Sequence, residues 1–154
     1  MSIFSEISRQ HALADAPFEQ AEQRALDEND EQAFDEASKQ RRHNDQAYFL
    51  YLFTRFENEV NGAVQQLLAA LVHSSQPWAD RRVWEAWSRG NIKGIPFLSK
   101  FEVLTDKSKP EFRQVKEFYE SRNRIAHGEE LEKPFIVESI AEQMDKIVTN
   151  FVVT

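Results

Sequence analysis

A long apolar stripe in residues 44–74 constrains the fold of this chain more than any other feature. Apolar side chains recur there at steps of four, three, four, four, three and four residues: Phe49, Phe53, Phe56, Val60, Val64, Leu67 and Leu71. This spacing places side chains on one face of an α-helix, so we predict a central helix over residues 44–74. Gly62 interrupts it at a cost of up to ~1 kcal/mol relative to Ala, which suggests that a neighbouring segment packs closely there.

Three further segments have helical patterns, and none of the chain keeps strand-like alternation for more than a few residues. Pro110 suits the first turn of one helix, and Gly128 suits the left-handed residue that ends it. With only 4 Gly and 5 Pro, a β-rich chain with many tight turns is disfavoured. We predict an all-α bundle of four main helices, plus an N-terminal helical extension, with the main helices at roughly residues 44–74, 77–89, 108–127 and 134–152.

The negative charge is concentrated in the N-terminal segment. Residues 1–38 contain ten acidic and two basic side chains, whereas the whole chain has a net charge of -7, so the remainder is close to neutral. The expected domain organisation is an acidic helical segment, residues 1–43, and a helical domain, residues 44–154, within one compact domain overall. One interpretation of the acidic segment is a solvated helix or pair of helices. The other is a functional one, in which the segment either covers a basic site or serves as a partner-binding arm.

Several classes of function are disfavoured by composition. The absence of Cys excludes disulfides and thiolate metal sites, and the four His are too scattered to predict a zinc site, so we expect no metal and no cofactor. The first residues lack the pattern of a secretory signal and no apolar run is long enough to span a membrane, which favours a soluble cytoplasmic protein without membrane contacts.

The acidic balance also makes duplex DNA an unexpected ligand. A local phosphate site remains compatible with it, since the chain has basic clusters at residues 39–43, 81–82 and 107–109. Each cluster could guide RNA or could simply be solvated surface.

The segment ESRNRIAHGEE, residues 120–130, contains the candidate catalytic group Arg122, Asn123 and His127. Imidazole exchanges protons near neutral pH, guanidinium donates to phosphate oxygens, and an amide can orient either group. Together they suit metal-independent RNA cleavage, in which the ribose 2′-hydroxyl attacks the adjacent phosphorus and a cation stabilises the developing charge. The alternative is structural, because Arg and His also interact favourably with the C-terminal end of a helix.

Helical geometry limits what one chain can do with this group. Asn123 and His127 lie ~40° apart around an ideal helix, whereas Arg122 and His127 lie ~140° apart. One His also cannot readily act as both base and acid in a single step. Both difficulties ease if two chains bring their helices together across a two-fold axis, so we predict a homodimer with a composite cleft.

The segment YESRNRIAHG resembles the signature of the HEPN domain superfamily, in which Arg and a polar residue precede a His by three intervening residues. The resemblance covers roughly residues 44–152 and is specific only in the motif. It implies a small all-α bundle, usually dimeric, that acts as a metal-independent endoribonuclease in toxin–antitoxin or antiphage defence systems. Arg122 would then stabilise the scissile phosphate, His127 would be the acid/base, and Asn123 would be the orienting polar residue.

The resemblance also implies partners and alternatives. RNA is the expected substrate, and an antitoxin or another defence-system protein is the expected partner. Some HEPN toxins carry a Tyr two residues after the His, which a nucleotidyltransferase antitoxin modifies, but Glu129 occupies that position here. The main alternative is a catalytically inactive HEPN-like interaction or scaffold subunit, with the Trp84/Trp87 region as its first candidate docking patch. A third is a plain helical dimer in which Arg122 and His127 only cap and pair.

Overall fold

A computed structural model of the protein describes residues 2–131 and 133–151. Within these ranges the regular structure is helical, with no strand, which confirms the predicted all-α class. The helices are α1 (Ile3–Asp27), α2 (Glu31–Val72), α3 (Trp78–Arg89), α4 (Phe97–Glu102), α5 (Pro110–Ala126) and α6 (Val137–Thr149), with a short 3₁₀ helix at Ile92–Gly94.

A tight turn joins α1 to α2. Asn29 is left-handed with φ 51°, and the N–H groups of Asn29 and Asp30 donate to the carbonyls of Leu26 and Ala25, the paired bonds of a Schellman helix end. The Asp30 carboxylate then accepts from the Ala33 N–H at 3.0 Å and caps α2. The sequence Glu-Asn-Asp therefore ends one helix and starts the next.

The start of α2 corrects the predicted boundary of the central helix. We predicted a start at residue 44, but α2 begins at Glu31 and runs unbroken for 42 residues. Residues 31–48 contain neither Gly nor Pro, so nothing in the backbone chemistry ends the helix when the apolar stripe stops. The predicted division between residues 43 and 44 consequently falls inside α2. The other three main helices begin and end within three residues of their predicted bounds.

The chain forms two compact units, to which α2, α5 and α6 each contribute a segment. Unit 1 consists of residues 1–55 and 119–146, and unit 2 of residues 56–118 and 147–154. The candidate catalytic group lies entirely in unit 1. No helix within residues 2–131 and 133–151 combines the length and apolar character needed to cross a membrane.

In unit 1 most of the buried apolar side chains come from the two terminal helices and from the aromatic part of α2. Phe49 stacks on Phe135, with ring centroids 4.3 Å apart, and Phe53 contacts Tyr119 of α5 at 6.2 Å. These contacts fix the last turns of α5 and the segment before α6 against α2. The buried set includes Phe4, Ile7, Phe49, Leu52, Phe53, Val137, Ile140 and Met144.

In unit 2 a cluster of phenylalanines forms the core. Phe101 has no exposed surface and contacts the rings of Phe56, Phe97, Phe112 and Phe151. The prediction of close packing at Gly62 is wrong, because an added Cβ would meet nothing within 4 Å. Helix α3 differs from the rest of this unit, since none of its 12 residues is buried.

Candidate functional site

The end of α5 fixes the backbone around His127. Gly128 takes φ +84°, its N–H donates to the Ile125 carbonyl at 2.9 Å, and the Glu129 N–H donates to the Arg124 carbonyl at 3.0 Å. These are the two bonds of a Schellman motif, so the predicted role of Gly128 is confirmed. His127 therefore occupies the position between the last helical residue and the left-handed glycine.

Arg122 and Asn123 are brought together by the structure. The Arg122 guanidinium donates from Nη1 to Asn123 Oδ1 at 3.0 Å, and both residues are half-buried. Since Asn123 is next to Arg122 in the chain, this bond restrains the long arginine side chain where its remaining donors can meet a ligand. Asn123 thus orients Arg122, whereas helical geometry alone favoured an arrangement with His127.

His127 is exposed, one turn beyond Asn123. Its backbone N–H donates to the Asn123 carbonyl at 3.0 Å, which ties the two positions together. Across the described parts of the chain, the imidazole makes no hydrogen bond or ion pair with another side chain, Arg122 included. One chain therefore presents a restrained guanidinium and an accessible imidazole as separate groups.

The segment after Gly128 is held to its surroundings by an ion pair and by a contact between a histidine and a carboxylate. Arg124 Nε donates to Glu129 Oε2 at 2.6 Å, and Glu130 Oε1 lies 3.3 Å from His43 Nε2 on α2. The Gln46 amide also donates to the Leu131 carbonyl at 3.3 Å, and Leu131 is buried. These contacts place the motif's C-terminal flank against the basic part of α2.

A polar seam between α1 and α2 was not predicted from the sequence. Arg41 Nε donates to both carboxylate oxygens of Asp15, at 3.1 and 2.9 Å, and Nη1 donates to Glu22 Oε2 at 2.8 Å. Ser38 Oγ donates to the same Glu22 side chain at 2.6 Å, and His11 Nε2 lies 2.7 Å from Asp45 Oδ1. The signal was present as polar residues at helical spacing, at positions 11, 15 and 22 and at positions 38, 41 and 45.

The seam also contains the side chains that come nearest to a metal-binding composition. Among the described residues, ligand atoms of His11, Asp15 and Asp45 lie within 4.8 Å of one another. They are already engaged, His11 with Asp45 and Asp15 with Arg41. Burial raises the pKa of Asp45 above its ordinary value, against the opposing hydrogen bond from His11. The ion pair between Arg41 and Asp15 and the hydrogen bond between His11 and Asp45 therefore account for this cluster.

A groove of about 1270 Å³ runs beside the seam in unit 1. Its walls come from α1, α2 and residues 134–145, and carboxylates outnumber cationic side chains among them. Such a surface repels a phosphate backbone rather than binding it. The groove as a whole is consequently poorly suited to an anionic substrate, although Lys39 and Arg42 are among its lining residues.

Comparison of the chain with protein-family models, with curated proteins and with solved structures gives no significant match.

Proposed function

We propose that the protein is a metal-independent endoribonuclease of the HEPN type, acting in a toxin–antitoxin or antiphage defence system. The observation that carries this proposal is the arrangement at the end of α5. There Asn123 restrains the Arg122 guanidinium, and the Schellman turn holds an exposed imidazole one turn further on. Their residue types and order are those of the HEPN signature in the sequence.

The chemistry assigns a different task to each side chain. The His127 imidazole takes the proton from the ribose 2′-hydroxyl, whose oxygen attacks the adjacent phosphorus. Arg122 donates to the non-bridging oxygens as negative charge develops there. The bond to the 5′-oxygen breaks, and that oxygen takes a proton from the protonated His127 imidazolium of a second chain, which becomes neutral. The products are a 2′,3′-cyclic phosphate and a free 5′-hydroxyl.

A purely structural role explains less of the geometry. The helix end is completed by backbone bonds at Gly128 and Glu129, and Arg124 pairs with Glu129. Neither Arg122 nor His127 donates a side-chain hydrogen bond to a terminal carbonyl of α5 within the described ranges. A role in helix capping therefore does not explain the positions of the Arg122 and His127 side chains.

The second candidate function is that of an interaction subunit in a defence complex, and helix α3 favours it. Trp78 and Val83 are 60% and 52% exposed, and no residue of α3 is buried. Trp84 and Trp87, half-buried, meet edge to face at 6.0 Å. An amphipathic helix with this much accessible aromatic surface is typical of a docking element. In this case the protein would bind a partner protein and cut no RNA.

Cleavage of total RNA in EDTA distinguishes the two functions. We expect the purified full chain to cut RNA and leave cyclic phosphate ends, and His127→Ala and Arg122→Ala to lose at least ~100-fold in rate. His73→Ala and Arg113→Ala are matched controls, because both side chains are exposed and lie in unit 2. An inert wild-type chain, or equal cutting by all four variants, would contradict the ribonuclease proposal.

A further inference from the structure

The structure distinguishes between the three basic clusters of the sequence. Clusters 81–82 and 107–109 lie in unit 2, whereas residues 39–43 lie in unit 1 with the candidate site. The pair between His43 and Glu130 and the bond from Gln46 to the Leu131 carbonyl join this part of α2 to the segment that follows His127. Of the three clusters, residues 39–43 are therefore the ones placed to contact an RNA strand that is bound at the candidate site.

Within that cluster the side chains divide between two faces of α2. Arg41 turns toward α1, where Asp15 and Glu22 neutralise it. Lys39, Arg42 and His43 are exposed and fall within ~100° of one another around the helix. We call these three residues the basic strip.

In the described part of the structure, Lys39 and Arg42 of the basic strip lack the paired carboxylate that several other basic residues have. Arg9, Arg41 and Arg124 each pair with a carboxylate, but Lys39 and Arg42 form no ion pair with any residue that the structure describes. Among the described residues, His43 meets one carboxylate, that of Glu130, at 3.3 Å, and the Glu130 side chain is 67% exposed. A phosphate could displace so exposed an acid at little cost.

We infer that the basic strip is a binding site for the phosphodiester backbone of single-stranded RNA, flanking the scissile position. This inference rests on the proposed ribonuclease function and adds the route of the substrate. Lys39 and Arg42 contact phosphates, and one phosphate takes the place of Glu130 beside His43. Glu130 thereby acts as a weak competitor for the RNA. Lys39 and Arg42 also line the acidic groove, and the carboxylates elsewhere in its lining repel the strand.

Binding is measured with a fluorescently labelled single-stranded RNA of mixed sequence, using full-length His127→Ala so that the RNA is not cut. Adding Lys39→Gln and Arg42→Gln should weaken binding at least ~5-fold. It should also reduce the slope of log affinity against log salt by about 1.4, the value for two lost contacts to a single strand. Adding Glu130→Gln instead should tighten binding about 2-fold, because the competing carboxylate is gone.

The matched control is Lys107→Gln with Lys109→Gln, which removes the same charge from unit 2. It should leave the affinity and the salt slope unchanged. Equal losses from both double variants, an unchanged slope in the strip variant, or no RNA binding at all would overturn the inference. Thermal unfolding of each variant identifies any loss caused by misfolding, and Glu130→Gln tests the strip by a gain that misfolding cannot produce.

Cleavage assays separate this inference from the function on which it rests. In the otherwise wild-type chain, the strip variant should raise KM more than it lowers kcat. If the wild type cuts RNA but the strip variant has the same KM, the inference that the basic strip binds RNA is contradicted and the ribonuclease proposal stands. If RNA binds through the strip but is never cut, the ribonuclease proposal fails and the strip stands.

Discussion

At the level of single residues, Gly128 and Gly62 show that glycine can stabilise the end of a helix and destabilise its interior. Gly128 needs φ +84° to end α5, whereas Gly62 lies inside α2 at an ordinary helical φ, with open space where a Cβ would be. An L side chain is strained in the first conformation and favoured in the second. The effects of Ala at the two positions should therefore have opposite signs.

We expect Gly128→Ala to lower the free energy of unfolding by roughly 1 kcal/mol and Gly62→Ala to raise it by up to ~1 kcal/mol. Urea unfolding of the two variants and the wild type measures both changes. Because Gly128 adjoins His127, its replacement should also slow RNA cleavage, whereas the Gly62 variant should cut normally. Shifts of the same sign would show that the turn is not held by its left-handed residue.

Lys100 gives a second prediction at this scale, one that depends on pH. The residue is 1% exposed, and its Nζ donates to Asn61 Oδ1 at 2.6 Å. Desolvation lowers the pKa of Lys100 from its ordinary value, in spite of the opposing charge of Glu57. Between that lowered pKa and about 10.5 the unfolded chain binds more protons than the folded chain, so this group adds stability as pH rises.

The measurement compares the wild type with Lys100→Met from about pH 7 to about pH 10.5. Other groups titrate in both proteins, so only the difference between their free energies of unfolding reports Lys100. That difference should move in favour of the wild type as pH increases. Lys93→Met, at an exposed position in the same unit, should show no such trend. A difference that is constant with pH, or that falls, would contradict the lowered pKa.

At the scale of helices, the sequence predicted most where the signal was local. The apolar stripe from Phe49 to Leu71, the first-turn Pro110 and the terminal Gly128 each identify a feature of one helix from its own residues. The start of α2 was missed because polar residues 31–43 carry no apolar stripe. Their helix is supported instead by the seam with α1, and a pairing such as Arg41 with Asp15 depends on the turn between two helices.

The same limit applies to the candidate site. The motif alone identified Arg122, Asn123 and His127 as the candidate site residues. That Asn123 contacts Arg122 rather than His127 follows from side-chain conformations, which spacing on a helix does not determine. The contact between Glu130 and His43 joins residues 87 positions apart, so no local pattern could have indicated it.

The seam makes a prediction about how α1 is held on α2. Asp15 is 7% exposed and receives its hydrogen bonds from Arg41, so Arg41→Ala leaves a buried carboxylate without its main partner. Fully buried pairs lose about 3–5 kcal/mol in this way. Because the Arg41 side chain is 32% exposed, we expect roughly 2 kcal/mol, measured by urea unfolding.

Arg9→Ala is the matched control, since the Arg9 side chain is 57% exposed and pairs with Glu6 on the same helix, α1. It should leave the unfolding curve almost unchanged. A loss as large as that of Arg41→Ala would show that the positive charge of this region matters more than the seam. Adding Asp15→Asn to Arg41→Ala should recover part of the loss, because it removes the unpaired charge.

At the scale of the whole molecule, the proposed reaction needs more than one chain offers. Cleavage requires a base that deprotonates the 2′-hydroxyl and an acid that protonates the leaving 5′-oxygen. Each chain presents one exposed His at the motif. A two-fold dimer would supply the second imidazole to the same cleft. The proposed reaction therefore predicts a dimer, and mixing active with inactive chains tests it directly.

Wild-type protein is mixed with an equal amount of His127→Ala at constant total concentration and left until subunits exchange. If a cleft needs both imidazoles, only wild-type pairs cut, and these make up about one quarter of the dimers. The rate should therefore fall to about one quarter of that of wild type alone. Chains that act singly would retain about one half. Mixing with His73→Ala should cause no loss, and a result of one half with His127→Ala would assign the whole reaction to one chain.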